Sequence, residues 1–179
     1  MSDFNQQPDQ EQNIFTEDAE KFFARETYRR NYPRLASVYD YWDRRRDGKF
    51  AANKADFSLS ELPVDAVPYC MMVDVSSGGT EFVYRYWGTK CAEYTKQEMT
   101  GKKVTDVEPK AVAEENYNSY RLAYETKSAL VFAKTHAKTF FLDADDLFLR
   151  VPLTDNGVDC DFILTVFEQH AHLLSEVEK

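Results

Sequence analysis

The sequence predicts an α+β fold: a five-stranded, mostly antiparallel sheet with helices packed on one face, preceded by an N-terminal helical extension. Three observations predict it. The elements run in the order helix, helix, hairpin, short helices, long helix and three strands, which suits a layered α+β architecture. The runs Tyr69 to Val75 and Glu81 to Trp87 flank Ser76-Ser77-Gly78-Gly79 and read as a hairpin. Composition supplies the core: 43% of the 179 residues are hydrophobic and 15% aromatic, with thirteen Phe and eleven Tyr.

Taking the elements in order, residues 1–14 are rich in Gln, Asn and Asp and read as a disordered tail. A helix is expected over 15–32. Thr16 serves as its N-cap, Glu17, Asp18 and Glu20 suit the positive end of its dipole, and Arg25, Arg29 and Arg30 load the other end. A second helix starts at Pro33, a residue tolerated in a first turn, and stops at Gly48. Its Leu35, Val38, Tyr39 and Trp42 follow the i, i+3, i+4, i+7 spacing.

Residues 49–67 read as irregular, with Pro63 and Pro68 as breakers. Beyond the hairpin, Lys90 to Tyr94 and Thr95 to Met99 suit short helical turns. Pro109 opens a longer helix to about Lys127, with Val112, Ala113, Tyr117, Tyr120 and Tyr124 along one side. Leu130 to His136, Thr139 to Leu142, Leu147 to Leu153 and Asp161 to Phe167 are strand candidates, the last two joined by a turn at Asp155-Asn156-Gly157. The chain thus divides into a tail at 1–14, a helix over 15–32, a domain over 33–170 and a polar tail over 171–179.

The bulk properties exclude several classes. A net charge of -9, from 22 basic and 31 acidic residues, argues against nucleic acid and anionic membrane surfaces. No run reaches the ~18 apolar residues of a membrane span, and no basic stretch followed by an apolar one marks a signal peptide. Cys70, Cys91 and Cys160 are far apart and odd in number, so reduced thiols in a cytoplasmic protein are expected.

Tyr41-Trp42, Asp56, Asp74-Val75, Tyr84-Arg85, Gly88-Thr89, Thr100-Gly101 and Val151-Pro152-Leu153 followed by Gly157 form an ordered set over roughly residues 34–168. In that order it resembles a divergent bacterial subfamily of single-domain PAS proteins. The chain departs from that pattern at Ala52, Lys54 and Leu59 in the linker and at Lys96, a position often glycine. The resemblance implies a PAS-like sheet, a ligand pocket on its helix side, and a sensory or docking role.

Side chains alternate along a strand, so Phe82, Tyr84 and Tyr86 are expected on the helix side of the sheet, with Val83, Arg85 and Trp87 on the other. Tyr84, Tyr86, Cys91, Tyr94, Tyr120 and Phe132 are the candidate pocket residues. Two readings stay open: the tyrosine rings fill the core with their hydroxyls bonded to backbone, or they face a ligand. Arg85 is either an anion clamp or the cross-strand partner of Asp74 or Asp161. Gly88 relieves crowding where strand passes into helix, and Gly101 permits a turn with positive φ.

Haem and flavin are disfavoured as cofactors, and the cofactor is otherwise unknown. Residues 88–127 contain no histidine to act as an axial ligand, and the surroundings of Cys91 do not match the flavin-reactive cysteine motif of light sensors. His136 in a strand, and His170 with His172, do not make a metal site. Asp143, Asp145 and Asp146 lack the later glycine and glutamate of a calcium loop and read as a solvated turn. No catalytic constellation or phosphate loop is present in the sequence.

The expected function is therefore a cytoplasmic PAS-type signalling module, not an enzyme, that binds a small-molecule ligand or a protein partner. The alternative is a scaffold domain whose core is filled by its own aromatic rings. Output passes to a downstream signalling protein. The aromatic Phe15, Phe22 and Phe23 need cover, from the domain or from a second copy. A homodimer through the N-terminal helices is the expected assembly, with neither nucleic acid nor a membrane span involved.

Overall fold

Two-sided burial organises the structure: one antiparallel sheet carries a separate hydrophobic core on each face. The computed structural model describes residues 14–76, 78–135 and 142–173. In chain order the elements are β1 (Ile14–Asp18), α1 (Ala19–Phe23), α2 (Glu26–Asn31), α3 (Pro33–Arg46), β2 (Ala52–Asn53), β3 (Cys70–Ser76), β4 (Glu81–Trp87), α4 (Thr89–Thr95), α5 (Lys110–Thr126), β5 (Leu130–Thr135), β6 (Leu142–Thr154) and β7 (Phe162–Leu173). The sheet runs β1-β5-β6-β7-β3-β4, every neighbour antiparallel, and β2 adds a short parallel pairing to β6. It has seven strands where five were expected, because β1 and β2 come from segments read as helix and as irregular linker.

The alternation of side chains distributes the two cores. On β6, Leu147, Leu149, Val151 and Leu153 point to one side, while Phe148 and Arg150 point to the other. On β7, Leu164 and Val166 share the first side, and Ile163 and Phe167 the second. The first face is covered by α1 and α3 and the second by α4 and α5. Helices on one face only, as the sequence suggested, is therefore corrected. Both faces of a sheet this apolar need cover, because continuous runs such as Leu147-Phe148-Leu149 leave no solvent side.

The helix α3 lays its predicted stripe on the first face. Leu35, Val38, Tyr39 and Trp42 are all buried, and the Trp42 indole N–H donates to the Pro152 carbonyl of β6 at 2.8 Å. Its N-terminal donors are met across the fold: the Glu168 carboxylate on β7 accepts from the backbone N–H of Arg34 at 3.0 Å and of Leu35 at 3.1 Å.

A continuous helix over 15–32 does not form. Residues 14–18 are a strand that adds to the free edge of β5, with Thr16 opposite Phe132. The helical segment then breaks into α1 and α2, and the N-cap is Asp18, whose carboxylate accepts from the N–H of Glu20 at 2.9 Å and of Lys21 at 3.3 Å. An available sheet edge satisfies the backbone of 14–18 as a helix would, and it moves the cap by two residues. Residues 1–13 of the expected tail lie outside the described residues. Residues 171–173, expected to start the C-terminal tail, continue β7, while 174–179 lie outside the described residues.

The N-terminal aromatic residues are covered within the chain. Phe22 and Phe23 are 3% and 2% exposed in the first core; the side chain of Phe15 lies outside the described residues. Tyr28, Tyr32 and Tyr39 are among the rings that cover Phe22 and Phe23. The arginines nearby are paired as well: Arg25 with Glu17, Arg29 with Asp40, Arg45 with Glu61 and Arg46 with Asp43.

Candidate functional site

The hairpin β3–β4 sets the site through a one-residue irregularity. Met72 lies opposite Tyr86, but the next residue, Val73, lies opposite Tyr84, so Arg85 is an extra residue on β4. Such a bulge breaks the strict alternation of side chains. Phe82, Tyr84 and Trp87 consequently enter the second core, while Tyr86 packs on the first, its hydroxyl donating to the Val67 carbonyl at 3.2 Å. The expectation that Tyr86 shares the face of Tyr84, and that Trp87 opposes it, is corrected on this ground. Arg85 stays outside and pairs with Asp74 at 2.6 Å, as the cross-strand reading expects.

At its end β4 runs into α4 through Gly88, where the chain nearly touches the segment before β3. A Cβ built on Gly88 would stand 2.2 Å from the Pro68 carbonyl oxygen and 2.8 Å from that of Cys70. The close approach brings Cys91 of α4 over β3, its thiol 3.6 Å from the Cys70 carbonyl. Further along, Gly101 has φ +81° and its N–H donates to the Tyr84 carbonyl at 2.7 Å, closing part of the outer edge of β4.

Between α4, α5 and the second face of the sheet lies a cavity of about 260 Å³. Six aromatic rings stand in its walls: Tyr84 and Trp87 of β4, Tyr94 of α4, Tyr120 of α5, Phe148 of β6 and Phe167 of β7. Tyr84 meets the Trp87 ring edge-on at 4.7 Å, and the Trp87 indole N–H donates to the Gln97 carbonyl. Gln97 and Asn116 are polar groups in the lining, with Arg150 and Asp146 as its buried charged side chains.

Arg150 is 3% exposed. Its guanidinium lies over Tyr120, 3.6 Å from the ring centre, and 5.6 Å from the centre of Phe132. It donates to the hydroxyl of Thr165 at 2.6 Å and twice to that of Ser119, at 2.9 and 3.2 Å. Thr165 in turn donates to the Tyr120 hydroxyl at 3.1 Å. Asp146, 1% exposed, accepts a hydrogen bond from Tyr94, which is 46% exposed and stands where the cavity meets the surface. Asp146 belongs to strand β6 and faces the cavity, which corrects the expected solvated turn at 143–146. Pairing with β5 and β7 on both sides carries the ladder through this stretch. The side chains of Asp143 and Asp145 lie outside the described residues.

Of the six candidate residues, the structure brings Tyr84, Cys91, Tyr94 and Tyr120 together in the lining. Phe132 lies behind Arg150 in the same core without lining the cavity, and Tyr86 is on the opposite face. The residues that sequence reasoning missed are chiefly Arg150 and Asp146. Arg150 carried a signal, being a lone charge inside the apolar run Leu147-Phe148-Leu149-Arg150-Val151-Pro152-Leu153. Among the described residues no three His, Cys, Asp or Glu side chains cluster to hold a metal, and His136 lies outside them.

Burial sets the proton affinities. It pushes the Tyr84 phenol well up, with the neighbouring Tyr120 adding to the effect, and it raises Tyr94, helped by the bond to Asp146. It pushes the thiols of Cys91 and Cys160 up to about 12 and raises that of Cys70 further. Thiolate is the reactive form, so the three thiols of the native protein are expected to react on the order of a thousandfold more slowly than free cysteine at pH 8. Labelling with a disulfide reagent, native against urea-unfolded, checks this; rapid native labelling of Cys91 would contradict the packing of α4 over β3.

Comparison with known proteins finds no matching family model, no matching curated protein and no matching solved structure. Among the described residues, no helix is long and apolar enough to cross a membrane.

Proposed function

We propose that this chain is a PAS-type sensory module that binds a small molecule between its sheet and α5 and signals by contact with another protein. The observation that carries the reading is the cavity: aromatic rings line a space of about 260 Å³ that opens beside Tyr94. Ligand sites are typically apolar concavities with a few placed polar groups, and Arg150, Asp146, Gln97 and Asn116 supply those groups here. The scaffold alternative calls for a core filled by its own rings, and the cavity among Tyr84, Tyr120 and Phe167 weighs against it.

The PAS reading draws support from the order of the strands. A hairpin, β3–β4, is followed by a helical stretch and then by three antiparallel strands, the last of which closes back on β3. That succession is what the resemblance of residues 34–168 implies. The module acts by binding: Asp146 is held by the hydrogen bond from Tyr94, and burial pushes the nearest thiol, Cys91, up to about 12.

Native mass spectrometry of the purified protein, followed by a thermal-shift screen against a metabolite library, tests the reading. Either a retained mass or a saturable rise in Tm supports the sensor. Repeated absence of both assigns the chain to the scaffold alternative.

A further inference from the structure

Arg150 enters no ion pair among the described residues. Among the described residues no carboxylate lies within ion-pairing distance of its guanidinium, and its hydrogen-bond partners are the neutral hydroxyls of Ser119 and Thr165. Burying a charge is costly unless it is paired. Stacking on Tyr120 offsets part of that cost. Of the five N–H groups of a guanidinium, the three hydrogen bonds to Ser119 and Thr165 use three. The side chain borders the cavity.

Resting on the reading of the cavity as a ligand site, we propose that its ligand is a compact organic monocarboxylate with a flat apolar body. Its carboxylate docks on Arg150 and its body lies among Tyr84, Trp87, Phe148 and Phe167. An arginine fork matches a carboxylate in shape and charge, and in a site screened from water the pair is strong. The size follows from the volume: about 260 Å³ lies below the ~300–1,000 Å³ of sites for drug-sized ligands, which points to a compact molecule. One charge follows from the far wall. Asp146 lies four residues along the same strand face, about 13 Å away at the usual strand rise, and its carboxylate disfavours a second anionic group at that end.

The test compares benzoate and phenylacetate with benzamide, phenylacetamide and benzylamine, by calorimetry and thermal unfolding of the full chain. The acids are expected to raise Tm by roughly 5–10 °C at a hundredfold excess over Kd. The amides are expected to bind at least tenfold more weakly, and the amine not at all. Arg150→Met is expected to abolish the preference for acid over amide, and Arg150→Lys to keep it in reduced form. Should Arg150→Met fail to fold, the acid-to-amide ratio of the natural protein still decides. Equal binding of acid and amide, or binding of the amine, overturns the charge assignment while the ligand-site reading stands. No binding by any acid also overturns it. A retained molecule of other chemistry in native mass spectrometry, or a Tm rise with another metabolite, then preserves the underlying reading, and the absence of both removes it as well.

Discussion

Trp42→Ala is expected to cost about 4 kcal/mol of stability, the size of effect seen when a large aromatic side chain is deleted from a core. Trp42 is 2% exposed, packs beside Tyr39 at 6.0 Å and ties α3 to β6 through the Pro152 carbonyl. Its loss opens a void under α3 and leaves that carbonyl without its indole donor. For a chain of this length the midpoint of thermal unfolding is expected to fall by about 8–16 °C. Trp42→Phe keeps most of the volume and removes the N–H, so its loss is expected to be smaller, about 1–2 kcal/mol. A drop of less than about 1 kcal/mol for the alanine variant, measured by urea titration, would show that α3 is not anchored through this ring.

The second large effect is expected at Gly88. Its φ of −65° is open to any residue, so the constraint is space and not backbone conformation. Gly88→Ala forces a methyl group against two backbone carbonyls, of Pro68 and Cys70, neither of which can rotate away as a side chain can. Relief requires β4 and the segment before β3 to separate, which strains the hydrogen bond from the Gly88 N–H to the Cys70 carbonyl at 2.9 Å. Overpacking of this kind is expected to cost about 3 kcal/mol and to displace α4, and with it Cys91 and Tyr94 at the cavity.

Gly101→Ala is the informative control. Gly101 has open space around its Cα but a φ of +81°, so only the left-handed backbone penalty of about 1 kcal/mol applies. Equal losses at Gly88 and Gly101, measured by urea titration, would refute the close approach at Gly88. A loss at Gly88 several times larger, with disturbed ligand binding in the surviving fraction, would establish it.

Much of the architecture was legible in the chain. The stripe Leu35, Val38, Tyr39, Trp42 specifies α3 and its buried side, since only helical spacing brings these four together. The Gly-Gly turn and its flanking apolar runs specify the β3–β4 hairpin. What misled was the assumption that apolar runs alternate. The stretch Leu147 to Leu153 is apolar at nearly every position, and a strand of that kind needs cover on both faces. On that reasoning it calls for helices on both sides and makes Arg150 conspicuous. The edge addition of residues 14–18 had no comparable signal, because pairing with β5 depends on an edge that exists only once the sheet is assembled.

The sequence by itself determined the mixed helix and antiparallel sheet class, the helix α3, the hairpin and the aromatic character of the core, because each rests on local periodicity, turn chemistry or composition. Only the tertiary structure decided which side chains meet. One extra residue at Arg85 sends Trp87 into the second core and Tyr86 out of it, since a single-residue slip exchanges the faces of a strand. The cavity and the unpaired charge of Arg150 likewise arise where α5 crosses β6 and β7, a meeting that only the assembled fold brings about.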